Sequence, residues 1–311
     1  MVTAAPLEHD LKFRSALPGL FLLTPLLAVA ELHVVIIEGL GGDPGYTQQF
    51  GEQVDAIETA SATLTRAELV QVFRGEAASR DAIVAHFESL QSRSSANDQF
   101  SVFLVGHGSY DDVEYKFNLP GPDLSAADIV AALDGLPGTR QLLVSTGSTS
   151  GALHDLLSKD DRVVILGTRS GVERHATRFG TYFAAALSNS TADIDKNKLI
   201  SAKEAFDFAA RQVADYYEDN GQLATEHPRL EGQRTDRVSL ARLAAPQASI
   251  VDVAIASLIA DRDALNAEID ALRLGRDDLP LPDYQALLLE KLLELARIED
   301  AIEAQTGRPA Q

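Results

Sequence analysis

The chain has 311 residues, of which 45% are hydrophobic and 23% charged, so it can form one large core with an appendage. Its formal net charge is −19. Phosphate backbones and anionic membranes should repel such a chain, which excludes nucleic-acid binding as its main role. No cysteine is present, so neither a disulfide nor thiol chemistry is available.

The N-terminal segment has the pattern of an export signal. Lys12 and Arg14 precede an apolar stretch from Leu17 that ends in the small-residue pattern Ala28-Val29-Ala30. A stretch of about 14 residues is too short to span a bilayer as a helix. We predict that residues 1–30 are removed, that the mature chain is periplasmic or extracellular, and that it has no stable membrane insertion. The alternative is an apolar leader that packs on the folded domain.

From Leu32 onwards, apolar strands alternate with helical segments. Nearly all residues of these strands are apolar, which predicts that both faces of the sheet are covered. The repeated strand–helix order predicts an α/β three-layer sandwich with a mainly parallel sheet over residues 31–246. Strands are predicted at 33–37, 68–73, 100–105, 142–145 and 162–168, and helices at about 47–58, 79–91, 125–133, 179–187 and 202–217.

After Pro246, two apolar stripes predict a C-terminal antiparallel helical hairpin over residues 247–311, with its turn between Gly275 and Pro282. We expect the two helices to pair with each other. The hairpin could also self-associate with a second copy or bind a partner. The first stripe is a heptad seam of the coiled-coil type with residues Val251, Ile255, Leu258, Arg262, Leu265, Ile269 and Leu272, and the second has Tyr284, Leu288, Leu292, Leu295, Ile298 and Ile302.

Several glycine-containing loops follow predicted strands and should gather at one edge of the sheet, because parallel strands place their carboxyl ends together. His107-Gly108 follows one strand and the segment from Ser148 to Gly151 follows another. A hydroxyl, a histidine within reach of it and backbone amides that face an oxyanion are the groups that acyl transfer needs. His107 and Ser148 are therefore a candidate pair. The alternative for His107 is a hydrogen-bonded loop histidine at a strand end.

These two loops resemble the active-site segments of the legumain-like peptidases, which have the caspase fold. In that family an apolar strand ends in His-Gly, and a later strand ends in Ala-Cys-x-Ser-Gly. The matching segments here are Val105-Gly106-His107-Gly108 and Gly147-Ser148-Thr149-Ser150-Gly151. Residues 107–112, 116–122 and 173–180 look similar to bacterial members whose nucleophile loop carries no cysteine. The resemblance covers about residues 32–230 and implies a caspase-like domain.

The resemblance implies that His107 is the general base, that the amides of Gly108 and residue 148 bind the oxyanion, and that residue 148 is the nucleophile. Ser148 stands where the family has cysteine. A serine hydroxyl is rarely ionised near neutral pH and normally needs a histidine held by a third group, a role open to Asp111 or Asp112. We therefore expect an exported homologue that lacks cysteine-peptidase activity and binds a peptide or protein ligand. The alternative is a peptidase or hydrolase that uses Ser148 and His107.

The loop after the strand at 162–168 supplies the candidate ligand pocket. In the resembling family the equivalent loop walls the specificity pocket, which implies that role for Arg169 and Ser170. The guanidinium of Arg169 or of Arg178 could bind a carboxylate-bearing ligand in a bidentate manner. The alternative is that each arginine forms an ordinary ion pair with one of the many acidic residues.

Residues 193–204 have the spacing of an EF-hand calcium loop. Lys198 occupies position six, where glycine is usual. The alternative is a capping box in which Ser201 and Glu204 begin the next helix. We expect weak, structural Ca²⁺ binding and no organic cofactor. The ligands at positions one, three, five, seven, nine and twelve would be Asp193, Asp195, Asn197, the Leu199 carbonyl, Ser201 and Glu204.

Overall fold

Strands and helices alternate along the chain in the computed structural model, which describes residues 30–138, 140–243 and 253–306. The strands β1 to β11 are Leu32–Glu38, Val70–Phe73, Gln99–Val105, Gly108–Tyr110, Tyr115–Phe117, Leu124–Ser125, Arg140–Ser145, Arg162–Leu166, Leu199–Ser201, Arg229–Glu231 and Ser239–Arg242. The α-helices α1 to α8 are Pro44–Ser61, Arg80–Arg93, Ala126–Asp134, His154–Leu157, Phe179–Ala186, Ala202–Asp219, Val253–Leu274 and Leu281–Thr306.

The central sheet has six strands in the order β2-β1-β3-β7-β8-β10. Neighbouring strands from β2 to β8 are parallel, and β10 is antiparallel to β8. The predicted α/β architecture with a mainly parallel sheet is confirmed. In this order β2 lies on one side of β1, and β3, the next strand along the chain, lies on the other side. The direction in which strands are added to the sheet therefore switches at β1. In sheets of this kind, the carboxyl ends of the strands beside such a switch form a crevice.

Helices cover both faces of this sheet, which explains why its central strands are apolar throughout. Val34 and Ile36 of β1 pack in the core under α1, α5 and α6. Val35 and Ile37, on the opposite face, pack in the core under α2 and α3. Each of these four side chains is at most 2% exposed. The molecule therefore has three layers, with a hydrophobic core on each side of the sheet.

Local chemistry sets the first helix boundary. Helix α1 begins at Pro44, a few residues before the predicted start, because the Asp43 side chain accepts a hydrogen bond from the Gly45 amide at 2.7 Å. Proline suits the first turn, where its missing N–H needs no partner. Two small sheets were not predicted from the sequence, a three-stranded sheet of β4, β5 and β6 and a two-stranded sheet of β9 and β11. These strands have two to four residues, too few to show a period.

The two C-terminal helices pack against each other. Leu265 and Ile269 of the heptad seam are buried. The Glu268–Lys291 ion pair joins α7 to α8 well away from the connecting turn, as in an antiparallel hairpin. Leu292 of the second stripe is 39% exposed and so lies at the edge of this contact. Val251 of the first stripe lies outside the described residues.

The hairpin is joined to the sheet domain by ion pairs from Arg242 to Asp270 and from Arg140 to Asp278. A cavity of about 470 Å³ separates α7 from the amino ends of the strands. Apart from Ala30, the predicted export signal lies outside the described residues. Within the described ranges, no helix is both long and apolar enough to cross a membrane.

Candidate functional site

His107 and Ser148 follow adjacent strands at one edge of the sheet. β3 ends at Val105 and β7 ends at Ser145, and the two strands pair directly. The β1–β3 switch lies beside them. The glycine-containing loop that follows β1 packs here as well, since the Gly39 amide donates to the Val105 carbonyl at 2.8 Å.

Ser148 contacts the loop of the histidine through its hydroxyl, which donates to the Gly108 carbonyl at 3.0 Å. Gly108 begins β4 and pairs with Phe117. The preceding pair is His107 with Asn118. It is a hydrogen-bonded pair, because the Asn118 amide donates to the His107 carbonyl at 3.0 Å. Antiparallel pairs alternate, so the N–H and C=O of Gly108 both turn away from β5, toward Ser148. This direction of the Gly108 amide suits an oxyanion donor.

Two glycines of the site leave no space for a side chain. A Cβ atom on Gly147 would lie 2.1 Å from the Gly106 carbonyl oxygen, and one on Gly108 would lie 2.6 Å from the Ser148 carbonyl oxygen. Both obstacles are backbone atoms, which cannot rotate away. The alanine that the legumain-like pattern has before its nucleophile therefore does not fit this loop.

The turn after Ser148 is strained. Thr149 has φ 56°, in the left-handed region, which costs roughly 1–2 kcal/mol for a residue with a Cβ. Its Oγ1 is buried without a hydrogen-bond partner among the described residues. The Thr149 amide donates to the Glu173 carbonyl at 2.9 Å, and the Gly151 amide donates to the Thr168 hydroxyl at 2.8 Å. These bonds hold the loop in its strained form.

The His107 imidazole lies in an aromatic setting. Its ring meets Tyr46 and Phe50 of α1 edge-on, with centroid distances of 4.6 Å and 4.9 Å. Burial lowers the pKa of His107 below its usual value, because the charged form loses hydration. The imidazole is therefore neutral at pH 7, the form that can accept a proton.

Among the described residues, no acid orients this imidazole. Across the described parts of the chain, no hydrogen bond joins the His107 ring to Ser148 or to a carboxylate. Asp111 accepts hydrogen bonds from the Val113 and Glu114 amides within its own turn. Asp112 pairs with Arg174 at 2.7 Å. The two aspartates that could have served as the third group are both engaged elsewhere.

The loop with Arg169 and Ser170 is organised by Glu173, whose side chain is only 10% exposed. The Glu173 carboxylate accepts hydrogen bonds from the Arg169 amide at 2.9 Å and from the His227 amide and Nδ1 at 3.1 Å and 2.7 Å. The Arg169 guanidinium lies 3.7 Å from Glu173 but is 65% exposed. Arg169 therefore forms an ordinary ion pair with Glu173, and the exposed side of its guanidinium is open to a ligand.

Arg178 lies on a different part of the structure. Its guanidinium stacks 3.6 Å above the Tyr216 ring of α6. Its backbone amide and that of Phe179 donate to the buried Glu226 carboxylate at 2.8 Å and 3.0 Å, which caps α5. Burial raises the pKa of Glu226 above its usual value, although these bonds act in the opposite direction. The structure does not bring Arg169 and Arg178 onto one partner.

Sequence reasoning missed Tyr46 and Phe50 at this edge, and it missed the contact between Glu173 and His227. Tyr46 and Phe50 are one helical turn apart just after a predicted edge loop, a pattern that could have revealed them. For Glu173 and His227 the sequence offers no sign, because the contact joins loops 54 residues apart.

The side chains of the EF-hand-like loop converge. Ligand oxygens of Asp193, Asp195 and Glu204 lie within 4.8 Å of one another, a separation that suits ligands about 2.4 Å from a common Ca²⁺ ion. Lys198, with φ 65°, makes the left-handed turn that glycine makes in this motif. The loop lies between α5 and α6, and Leu199 begins β9, which pairs with β11.

The same carboxylates also accept protein hydrogen bonds. Asp193 accepts them from the Asn197 and Lys198 amides at 3.1 Å and 3.0 Å. Glu204 and Ser201 form the predicted capping box at the start of α6. Burial opposes ionisation of Glu204, but hydrogen bonds from Ser201, Ile194 and Asp195 outweigh it and hold its pKa below the usual value. Glu204 thus presents an ionised carboxylate at neutral pH.

Comparison with known proteins found no matching family model and no matching curated protein. Among solved structures, the chain is similar to protein GSU0716 from Geobacter sulfurreducens, with a TM-score of 0.44 and 12% sequence identity. The matched region covers 65% of this chain and 92% of that one. At this level, the likeness establishes neither a shared fold nor a shared function.

Proposed function

We propose that the chain is an exported, caspase-fold homologue of the legumain-like peptidases that binds a peptide or protein ligand without cysteine-peptidase activity. The observation that carries this proposal is the bonding of Ser148, whose hydroxyl proton goes to the Gly108 carbonyl at 3.0 Å. A serine nucleophile needs its proton directed to a base that is itself oriented. Neither condition is met by the described groups around His107.

A binding role retains the parts of the site that recognise a chain. Strand β4 turns the Gly108 amide toward Ser148, where it could donate to a ligand carbonyl. The exposed face of Arg169 suits a carboxylate. Both groups are held by backbone and carboxylate contacts that do not depend on a reactive side chain.

A fluorophosphonate probe tests the absence of serine chemistry. We expect no labelling of the folded protein above the level of the heat-denatured protein, because the Ser148 hydroxyl is not activated. The matched controls are Ser148→Ala and Ser109→Ala, the latter at a hydroxyl that donates to Asn118 in the neighbouring loop. Labelling that Ser148→Ala removes and Ser109→Ala retains would overturn the proposal.

Ligand binding is tested with a phage-displayed peptide library selected on the wild-type protein. Peptides that are retained should bind Arg169→Ala at least about tenfold more weakly, since a charge-assisted hydrogen bond contributes roughly 1.5–3 kcal/mol. Lys159→Ala is the control, because Lys159 pairs with Asp134 away from the Ser148 loop. Failure to select any peptide would contradict the binding role.

The second candidate is a hydrolase that uses Ser148 as nucleophile and His107 as base. The low pKa of His107 favours it, since a neutral imidazole can accept the hydroxyl proton. It requires the Ser148 hydroxyl to leave the Gly108 carbonyl when a substrate binds. The probe experiment decides between the two candidates.

We also propose that residues 193–204 bind Ca²⁺ as a structural ion. Support comes from the convergence of Asp193, Asp195 and Glu204 and from the left-handed turn at Lys198. These residues would hold the ion, which would link the end of α5 to the start of α6. The positive charge of Lys198 should keep the affinity low.

A further inference from the structure

A buried carboxylate lies opposite the predicted cleavage point at the start of β1. Glu31 is the residue just before this strand, and its backbone amide donates to Asp98 Oδ1 at 3.0 Å. Asp98 is 6% exposed. Its other oxygen accepts a hydrogen bond from the Ser95 amide at 2.8 Å. Asp98 thus binds the atom that would become the amino terminus if the chain were cut after Ala30.

We propose that Asp98 is the receptor for a new amino terminus at Glu31, formed when the peptide bond after Ala30 is hydrolysed. In that reaction water adds across the bond, and the C–N bond breaks. Ala30 leaves with the released peptide as a carboxylate. The Glu31 nitrogen takes up protons and becomes an ammonium group. Its hydrogen bond to Asp98 then joins two opposite charges.

The surroundings of Glu31 can accommodate an ammonium group at its nitrogen. The Glu31 carbonyl accepts a hydrogen bond from the Gln99 amide at 2.8 Å, which holds Glu31 beside the first residue of β3. The Glu31 side chain is paired with Arg66, so it does not compete for the ammonium group. Ala30 and Glu31 also line the cavity of about 470 Å³, through which water can reach the remaining ammonium protons.

The imidazole of His33 lies beside Asp98. It is 5% exposed, and its Nε2 has no hydrogen-bond partner among the described residues. Nε2 lies 3.7 Å from Asp98 and 3.9 Å from Glu31, and burial lowers the pKa of His33. The imidazole therefore does not neutralise Asp98 at pH 7, and among the described residues the hydrogen bonds to this carboxylate come from the Glu31 and Ser95 amides.

The consequence is a chain that becomes more stable when it is processed. Before cleavage, the contact is between a neutral amide and a carboxylate; afterwards, both partners are charged, and such bonds are roughly twice as strong. The gain falls on β1, which lies inside the sheet between β2 and β3. The uncleaved chain would thus be held at lower stability while it is exported.

The test compares two otherwise identical chains, one beginning at Glu31 and one at Ala30, each carrying Asp98 or Asp98→Asn. In urea unfolding, the chain that begins at Glu31 should have an unfolding equilibrium constant about tenfold smaller than that of the chain that begins at Ala30. Only in the first chain is the hydrogen bond to Asp98 donated by a charged ammonium group. Asp98→Asn should reduce this difference to within about twofold. Acetylation of the Glu31 amine should have the same effect.

Equal stabilities of the two Asp98 chains would overturn the proposal, and this comparison stands even if Asp98→Asn does not fold. Amino-terminal sequencing of the exported protein gives the second readout. A mature chain that begins Glu31-Leu32-His33 supports the proposal. A mature chain that begins elsewhere, or one that keeps its leader, overturns it.

Discussion

At the scale of single residues, the Ser148 loop depends on the absence of a side chain at position 147. We predict that Gly147→Ala destabilises the fold by at least about 2 kcal/mol, because the new Cβ would lie 2.1 Å from the Gly106 carbonyl oxygen. The matched control is Gly51→Ala in helix α1. A Cβ there meets nothing within 4 Å, so the change should stabilise by roughly 0.5–1 kcal/mol.

Urea unfolding of both variants measures this difference. If Gly147→Ala were as stable as the wild type, the loop could adopt the alanine-containing form of the resembling family, and its backbone would differ from the one described. The comparison also bears on Ser148, since the Gly147 backbone sets where the hydroxyl lies.

The placement of the candidate pair could be predicted from sequence, but its bonding could not. His107 and Ser148 follow apolar strands, and that pattern alone puts both at the carboxyl edge of a parallel sheet. The hydroxyl of Ser148 bonds to Gly108 because β4 pairs with β5 in one particular register. That register is set by a three-residue strand whose sequence shows no period.

At the scale of elements, the long strands were predictable because each is a run of buried apolar residues. β1, β3, β7 and β8 lie where the hydrophobic pattern placed them. Strand β10 was not predictable, because it has only three residues, two of them charged, and it pairs with a strand distant in sequence, β8. Short edge strands of this kind are decided by their neighbours rather than by their own composition.

We predict that Ca²⁺ stabilises the fold by binding to the EF-hand-like loop. Ca²⁺ should raise the thermal midpoint, and a chelator should reverse the rise, because binding to the folded state alone shifts the unfolding equilibrium. Asp193→Ala should abolish the shift. Asp207→Ala is the control, because Asp207 lies on the same helix as Glu204 but pairs with Lys203 on the surface.

Lys198→Gly sharpens this test. The substitution removes a positive charge beside the carboxylates. It also removes the strain of a side chain in the left-handed region, which costs the fold roughly 1–2 kcal/mol. Calorimetric titration should therefore show tighter Ca²⁺ binding than in the wild type. An unchanged midpoint with Ca²⁺ in both the wild type and Lys198→Gly would contradict the calcium proposal and leave the capping box as the role of Ser201 and Glu204.

At the scale of the whole molecule, the hairpin leaves an apolar surface uncovered. Leu289, Leu292 and Leu293 of α8 are 59%, 39% and 53% exposed. They form an outer apolar patch at helical spacings of three and four residues, and Leu292 also belongs to the stripe that faces α7. Contiguous exposed apolar side chains of this kind are typical of an interaction surface.

We predict that the protein self-associates through this patch, and that salt strengthens the association. Two chains that each carry a net charge of −19 repel each other, and salt screens that repulsion while leaving apolar contacts intact. In sedimentation equilibrium, Leu289→Ser with Leu293→Ser should weaken the association at least about tenfold, since burial of a leucine side chain contributes roughly 1.5–3 kcal/mol. Leu223→Ser is the control, because Leu223 is 91% exposed in a loop outside the hairpin. A wild-type protein that stays monomeric at low and at high salt would contradict self-association. A foreign partner would then be the remaining role for the patch.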